Sequence, residues 1–203
     1  MEKIGIFLET ALRKTFVSLY INNKVLFTKY SILDFKSDNT FVYDIDFMLK
    51  KFYITPTSVN EIIVVNGPGY FTGIRAGITI AKALFYVLEL EVFLIDSFSL
   101  LRRCIDFKDS CAIVISASKK DCFIAYFRGF DKIKCEVIPI DSLSNIYNNY
   151  KYFTDSPSIS NDYSIELVEP KPILSFELNK VKTIDEINPI YMRSEESLFG
   201  SKR

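Results

Sequence analysis

Residues 66–77 form the segment with the clearest potential for a chemical role. They read NGPGYFTGIRAG and lie between a β-branched run and a long apolar stretch with helical spacing. Free backbone amides at the start of a helix can hold an anion such as a phosphate. The spacing matches neither G-x-x-x-x-G-K-[ST] nor G-x-G-x-x-G, because the third glycine comes one residue late. The segment therefore predicts either an anion-binding loop or a rigid turn that sets the angle of the helix.

A dinucleotide-binding domain is a further alternative. It would use four residues of a strand–turn–helix–strand unit: Gly67, Gly69, Gly73 and Asp96. Pro68 removes one amide from this loop, and Tyr70 and Phe71 are bulky where a pyrophosphate must approach the backbone. These three residues disfavour the alternative, and a titration with NAD or FAD decides it.

The 203 residues include no histidine. A Ser-His-Asp triad, a Cys-His pair and an H-E-x-x-H zinc site therefore cannot form within this chain. The four cysteines include no C-x-x-C pair. We expect no catalytic residue, no metal site and no cofactor, while a nucleotide at a subunit interface is left open.

The numbers of basic and acidic residues are equal, at 25 each. A neutral chain has no overall electrostatic attraction to nucleic acid, so we expect any contact with RNA to be indirect. The longest apolar stretch, residues 74–95, is interrupted by Arg75, Lys82, Glu89 and Glu91. These charges disfavour a membrane span, and we expect a cytoplasmic protein.

Regular elements must position the glycine-rich segment. Apolar runs predict five strands, at residues 4–8, 16–21, 25–28, 62–65 and 92–95. A tight turn is expected at Asn22-Asn23. Spacings of three and four predict helices over 40–53 and 73–90, the first of which ends before Pro56. The second helix and its flanking strands then form a β-α-β unit with parallel strands.

The second half of the chain repeats the opening pattern. Apolar runs at 111–115, 123–127 and 134–138 follow the first three runs at an offset near 107 residues. This recurrence predicts a duplicated α/β architecture, with a first lobe at 1–96 and a reduced second lobe at 97–203. Residues 141–147 predict a short helix, and 148–172 predict mainly loop with one or two short strands.

The stretch GPGYFTGIRAGITIAKAL resembles the signature of the TsaB (YeaZ) family, in which G-P-G-[SY]-F-T-G-[LI]-R-x-G opens a helix. The start of the chain resembles the family's first hairpin, AIVISASKKDCFIAYF its second-lobe strand pair, and NPIYMR its P-x-Y-[LV]-R ending. These matches follow the family's order and span most of the chain. The matching residues of the motif loop are Gly67, Pro68, Gly69, Phe71, Thr72, Gly73 and Arg75.

The resemblance implies the duplicated two-lobe fold of the actin/hexokinase/Hsp70-like (ASKHA) proteins. It also implies a non-catalytic scaffold that pairs with the catalytic paralogue TsaD and, through that pair, with TsaE. Together they would form N6-threonylcarbamoyladenosine (t6A) at position 37 of tRNAs that read codons beginning with A. We further expect a homodimer when the protein is free, and only indirect contact with tRNA.

The chain departs from the family's pattern in both hairpin turns. Glu9-Thr10-Ala11 replaces the usual Asp-Thr-Ser, and Ser116-Ala117-Ser118 replaces Asp-Ala-Arg. In active members of this fold, these turns handle Mg and ATP phosphates. We therefore interpret Glu9 and Thr10 as a vestigial nucleotide turn, and keep a stand-alone ATP-binding enzyme of the same fold as the alternative. Arg75 is open between a phosphate or partner carboxylate and an ion pair inside its own lobe.

The two amphipathic helices are the elements that we expect to bind the partner. A helix that is apolar on more than one face is buried or pressed against another protein. The residues predicted for this interface are Phe41, Ile45, Met48, Leu49 and Phe52 on the first helix, and Ile74, Ile78, Ala81 and Phe85 on the second.

Overall fold

The computed structural model describes residues 2–32, 40–145, 150–174 and 178–192, which contain two mixed β-sheets. The strands of the first sheet are β1 (Ile4–Glu9), β2 (Lys14–Ile21), β3 (Lys24–Ile32), β4 (Glu61–Val65), β5 (Glu91–Ile95) and β11 (Asn179–Lys180). Those of the second sheet are β6 (Cys111–Ser116), β7 (Asp121–Arg128), β8 (Asp131–Pro139), β9 (Lys151–Thr154) and β10 (Glu166–Leu167). The strand orders are β11-β5-β4-β1-β2-β3 and β10-β9-β6-β7-β8.

Four α-helices accompany the sheets: α1 (Phe41–Lys51), α2 (Phe71–Leu88), α3 (Ser97–Cys104) and α4 (Pro157–Tyr163). Short 3-10 helices lie at Pro56–Ser58, Ile140–Asn145 and Ile184–Glu186. The first and second helices predicted from the sequence correspond to α1 and α2, and α2 begins two residues earlier than predicted. We call the first sheet with α1 and α2 the first lobe, and the second sheet with α4 the second lobe.

The two lobes repeat one topology. In each, the first strand is antiparallel to the second and parallel to the fourth, and the fourth is parallel to the fifth. A register shift lies between Leu19 and Tyr20 in β2, and a second lies between Tyr126 and Phe127 in β7, an offset of 107 residues. The duplication predicted from the sequence is therefore confirmed, and the structure adds a register shift at the equivalent position of each lobe.

Helix α3 connects the lobes and was not among the predicted elements. Asp96 caps it by accepting hydrogen bonds from the amide and hydroxyl of Ser99, at 3.1 and 2.6 Å. The buried Arg102 side chain donates to the carbonyls of Gly129 and Phe107, both at 2.6 Å. The bond to Gly129 ties the connector to the hairpin between β7 and β8, and the bond to Phe107 lies within the connector.

The chain returns to the first lobe after its second sheet. Strand β11 pairs antiparallel with β5, although residues 179–180 fall within the range predicted for the second lobe. Ile187 follows and is fully buried. The amide of Ile190 then donates to the carbonyl of Asn66 at 2.7 Å. The return segment, residues 178–192, thus runs from the edge of the first sheet to the motif loop.

Helix α2 is long and apolar enough to cross a membrane, judged by length and composition only. Helices that pack on a sheet in a protein core meet the same criterion, so this is weak evidence for a span. One side of α2 packs on the sheet through Gly73, Ile74, Gly77, Ile78 and Ala81. Five of the 18 residues of α2 are buried, and six are exposed. Three of the exposed residues are apolar, and these lie toward the C-terminal end of the helix: Ala83, Tyr86 and Val87.

Candidate functional site

The backbone amides of the turn after β1 bind the carboxylate of Glu9, the last residue of that strand. Glu9 is fully buried, and its Oε1 accepts hydrogen bonds from the amides of Ala11, at 2.5 Å, and Leu12, at 2.7 Å. Successive amides of a turn form a concave site suited to an anion. In this chain the Glu9 side chain already fills that position.

The next amide of the turn bonds to the other lobe. The Arg13 amide donates to Oδ2 of Asp155 at 3.2 Å, and Asp155 follows directly after β9. Burial raises the pKa of Glu9 to about 8, and the nearby Asp155 contributes to this rise. Burial likewise raises the pKa of Asp155 to about 6. Because low-polarity surroundings disfavour the charged form, both carboxyls bind a proton more readily than in water.

The glycines of the motif loop allow α2 to approach this turn. A Cβ atom on Gly69 would lie 2.1 Å from the carbonyl oxygen of Ala11, and one on Gly73 would lie 1.9 Å from that of Thr10. The Thr10 hydroxyl donates to the carbonyl of Gly73 at 2.7 Å, and the Tyr70 amide donates to the carbonyl of Ala11 at 2.7 Å. Of the two original interpretations, the structure thus supports the rigid turn, with glycines required by close packing.

The first residues of the motif loop contact the return segment. Gly67, with φ of +102°, accepts a hydrogen bond from the Ser97 amide at 2.8 Å and precedes Pro68 through a cis peptide bond. A Cβ atom on Gly67 would lie 2.8 Å from the carbonyl oxygen of Ile190. The Asn66 side chain donates to the carbonyl of Asn188 at 3.0 Å. Glycine is therefore required here by conformation and by contact.

The remaining motif residues lie at the start of α2. The Phe71 ring packs against the Tyr191 ring, with centroids 5.2 Å apart, and the Arg75 guanidinium lies 4.4 Å from the Phe71 centroid. Arg75 Nε also donates to the Tyr191 hydroxyl at 3.4 Å. Thr72 is exposed. Arg75 thus joins the motif to the return segment.

The nine predicted interface residues do not form one exposed surface. Phe52 and Phe85 are half-buried. The other seven lie in the chain's own core: Phe41, Ile45, Met48, Leu49, Ile74, Ile78 and Ala81. These side chains cover the sheet of the first lobe, so a partner surface on these helices must consist of other residues.

Apolar side chains are nevertheless exposed on both helices. Val42 and Tyr43 of α1 are each 64% exposed, and Tyr86 and Val87 of α2 are 79% and 72% exposed. The exposed residues of α2 recur at spacings of three and four, which places them on one side: Thr72, Arg75, Thr79, Ala83, Tyr86 and Val87. We call this side the outer face of α2. Its middle carries the small side chains of Thr79 and Ala83, and its C-terminal end carries the larger side chains of Tyr86 and Val87.

Asp96 has a structural environment. Besides capping α3, it forms an ion pair with Lys132 of β8 at 3.0 Å. This carboxylate therefore links the connector to the second lobe, and the dinucleotide alternative loses its ribose-binding residue. Among the described residues, no three His, Cys, Asp or Glu side chains are grouped so that they could hold a metal ion.

A small cleft separates the motif loop from the second lobe. Its volume is about 90 Å³, and it lies between Gly69 and Phe71 on one side and Ala117 and Phe123 on the other. Tyr191 of the return segment also lines it. A larger groove of about 520 Å³ is lined instead by residues around β9, α4 and β10. The cleft is too small for a nucleotide in this conformation.

The repeated strand order, with a hairpin turn and a helix start packed together at the junction, defines a two-lobe α/β protein of the ASKHA class. A family model described as "TsaD: tRNA N6-adenosine threonylcarbamoyltransferase" matches residues 40–168, more than half of the chain. The chain belongs to this family. It is also similar to a TsaB protein in part of its sequence and to YeaZ structures in its fold.

The individual matches differ in extent. The chain is 35% identical over 48 residues to the tRNA threonylcarbamoyladenosine biosynthesis protein TsaB of Bacillus subtilis, which is 24% of this chain and 21% of that protein. A solved structure of a Pseudomonas aeruginosa protein with similarity to peptidase YEAZ is 14% identical, covers 94% of this chain and all of its own, and has a TM-score of 0.70. YeaZ from P. aeruginosa is 17% identical, with 75% of each chain covered and a TM-score of 0.60. The two structures support the fold alone.

Proposed function

We propose that this chain is a non-catalytic, cytoplasmic scaffold subunit that pairs with TsaD in the formation of t6A at position 37 of tRNA. TsaE joins the assembly through this pair, and tRNA is contacted indirectly. The observation that carries the proposal is the outer face of α2. Its C-terminal part exposes three apolar side chains, Ala83, Tyr86 and Val87, of which Tyr86 is 79% and Val87 72% exposed. Neighbouring apolar side chains exposed on one side of a helix are typical of a protein-binding surface.

The turn after β1 supports the non-catalytic part of the proposal. A nucleotide phosphate bound at this turn would need the amides of Ala11 and Leu12, and Glu9 accepts both hydrogen bonds. It would also have to separate Gly69 and Gly73 from the turn, where they are in close contact. The alternative of a stand-alone ATP-binding enzyme therefore requires a rearrangement of the buried turn. Tight binding of Mg-ATP by the isolated chain would support that alternative.

An omission assay tests the proposal directly. Unmodified tRNA is incubated with TsaC, TsaD and TsaE of the same organism, ATP, threonine and bicarbonate, with and without this chain, and t6A is quantified by mass spectrometry. We expect product only when the chain is present. Equal product in its absence would refute the subunit assignment.

The surface that would bind TsaD is also suited to a second copy of this chain. We expect a homodimer that competes with the heterodimer when the protein is free, because the same apolar side chains are covered in both. Adding TsaD to the isolated protein should then replace one species by the other in size-exclusion chromatography with light scattering.

A further inference from the structure

Two buried carboxyl groups, one from each lobe, meet at the turn after β1. Glu9 binds the amides of Ala11 and Leu12, and Asp155 binds the amide of Arg13. Of three consecutive amides in this turn, two donate to a carboxyl of the first lobe and the third donates to a carboxyl of the second lobe. The Arg13–Asp155 bond joins residues 142 positions apart in the sequence and crosses the junction.

Each carboxyl has one oxygen atom without a hydrogen-bond partner. Oε2 of Glu9 and Oδ1 of Asp155 are buried and unpaired within the part of the chain that the structure describes. Glu9 is fully buried, and Asp155 is 7% exposed. A buried ionised oxygen without a donor is unfavourable, whereas a protonated carboxyl removes the charge.

Titratable groups near the pair come from the turn itself, from the motif loop and from α3. Arg13 lies on the same turn and acts on Asp155, Tyr70 of the motif loop lies near Asp155, and Cys104 of α3 lies near Glu9. Arg13 is the cation among these groups, and its side chain is on the exposed side of the turn. The Glu9 carboxylate therefore depends on two amides for its stabilisation, with a second carboxyl nearby.

We propose that Glu9 and Asp155 form a proton-linked latch between the two lobes, closed when Glu9 carries a proton and loosened when both carboxyls are ionised. Loosening separates the turn from Asp155 and gives both carboxylates access to water. No other molecule is required, since the proton is exchanged with solvent. This inference is independent of the proposed function.

The pH range follows from the direction of the shifts. A group with a higher pKa in the closed state than in the open state favours opening as pH rises from the lower value to the higher. For Asp155 this range ends at about pH 6, and for Glu9 it ends at about pH 8. Between pH 6 and 8 only the titration of Glu9 favours the open state. The equilibrium constant for opening should therefore increase up to about tenfold per pH unit.

Hydrogen exchange measured by mass spectrometry on the peptide that contains residues 11–13 tests the latch. After correction for the intrinsic rate, we expect protection in the wild type to fall up to about tenfold per pH unit from pH 6 to 8, and to level off above pH 8. Glu9→Gln keeps the carbonyl acceptor and cannot ionise, so its protection should not change over this range. A wild-type profile that is flat from pH 6 to 8 would overturn the proposal.

Glu169→Gln is the matched control. Glu169 pairs with Lys14 at 2.6 Å across the same junction, but its side chain is 65% exposed. This variant should keep the wild-type pH profile; loss of the profile would assign it to the exposed ion pair and refute the latch. Should Glu9→Gln not fold, Asp155→Asn gives the second comparison. It should move the upper end of the range below pH 8, because Asp155 raises the pKa of Glu9.

Discussion

Gly73 and Thr10 hold α2 against the first hairpin turn through two contacts. The Thr10 hydroxyl donates to the carbonyl of Gly73 at 2.7 Å, and the Cα of Gly73 faces the carbonyl of Thr10, so that an added Cβ would lie 1.9 Å from that oxygen. In the second contact, the backbone of Gly73 faces the backbone of Thr10. A change of side-chain conformation therefore cannot make room for an added Cβ.

Gly73→Ala should therefore destabilise the protein. Alanine is a better helix former by up to about 1 kcal/mol, but overpacking against backbone costs about 1–3 kcal/mol. We expect a net loss of unfolding free energy, measured by urea denaturation. Thr79→Ala, on the exposed side of the same helix, is the control and should change stability by less than about 0.5 kcal/mol. Equal stability of Gly73→Ala and the wild type would show that the helix can move away from the turn.

Arg102→Met should loosen the connector between the lobes. Arg102 is fully buried and donates to the carbonyls of Gly129 and Phe107. Leaving these two half-buried carbonyls without the guanidinium should cost about 2 kcal/mol. Arg103→Met removes the neighbouring, partly exposed guanidinium and should cost less. The idea fails if thermal or chemical unfolding ranks the two variants in the opposite order.

Asp155→Asn should stabilise the protein in a pH-dependent way. Burial raises the pKa of Asp155 from 3.8 to about 6, so in the wild type this group makes folding less favourable as pH rises through that interval. The asparagine variant has no such titration. Its free energy of unfolding should exceed that of the wild type by an amount that grows from pH 4 to 6, to no more than about 3 kcal/mol. Urea unfolding at pH 4, 5, 6 and 7 measures it. A stability difference that does not vary with pH would contradict the assigned shift.

Charged substitutions on the outer face of α2 should weaken the proposed binding to TsaD. Ala83→Glu and Val87→Glu place carboxylates on exposed helical positions, where glutamate is well tolerated by the fold. We expect affinity to fall at least about tenfold, because an unpaired charge would be buried in an apolar interface. Ile133→Glu, on β8, is the matched control, since Ile133 is 57% exposed on the second lobe. Unchanged binding by folded Ala83→Glu and Val87→Glu in calorimetry would place the interface elsewhere.

Local patterns predict most of the first lobe. Continuous apolar runs identify β1 and β4, and the Asn22-Asn23 turn adopts the positive φ values, 48° and 62°, that a tight hairpin requires. The helices α3 and α4 were missed because they have only eight and seven residues, about two turns each, which is too short for a repeat to stand out in the sequence. Their signals are a capping Asp96 and a proline at the first position of α4.

The candidate site is less predictable, for two physical reasons. Periodicity shows that Ile45 and Met48 lie on the apolar face of α1 and that Ile78 lies on the apolar face of α2. It cannot show that those faces cover the chain's own sheet. Asp155 carries no local signal, because only the parallel pairing of β9 with β6 brings it to the turn after β1. The triplet Glu9-Thr10-Ala11 likewise does not show that the Glu9 side chain is buried and binds the amides of its own turn.

The return of the chain to β5 has a consequence for synthesis on the ribosome. Strand β5 is complete once Ile95 has emerged, yet its antiparallel neighbour, Asn179–Lys180, is translated more than eighty residues later. During that interval the edge of the nascent first lobe is open, and the Asn66 carbonyl lacks the Ile190 amide that later binds it. A first lobe released early would keep a free strand edge, the kind of surface that holding chaperones cover and that joins growing aggregates.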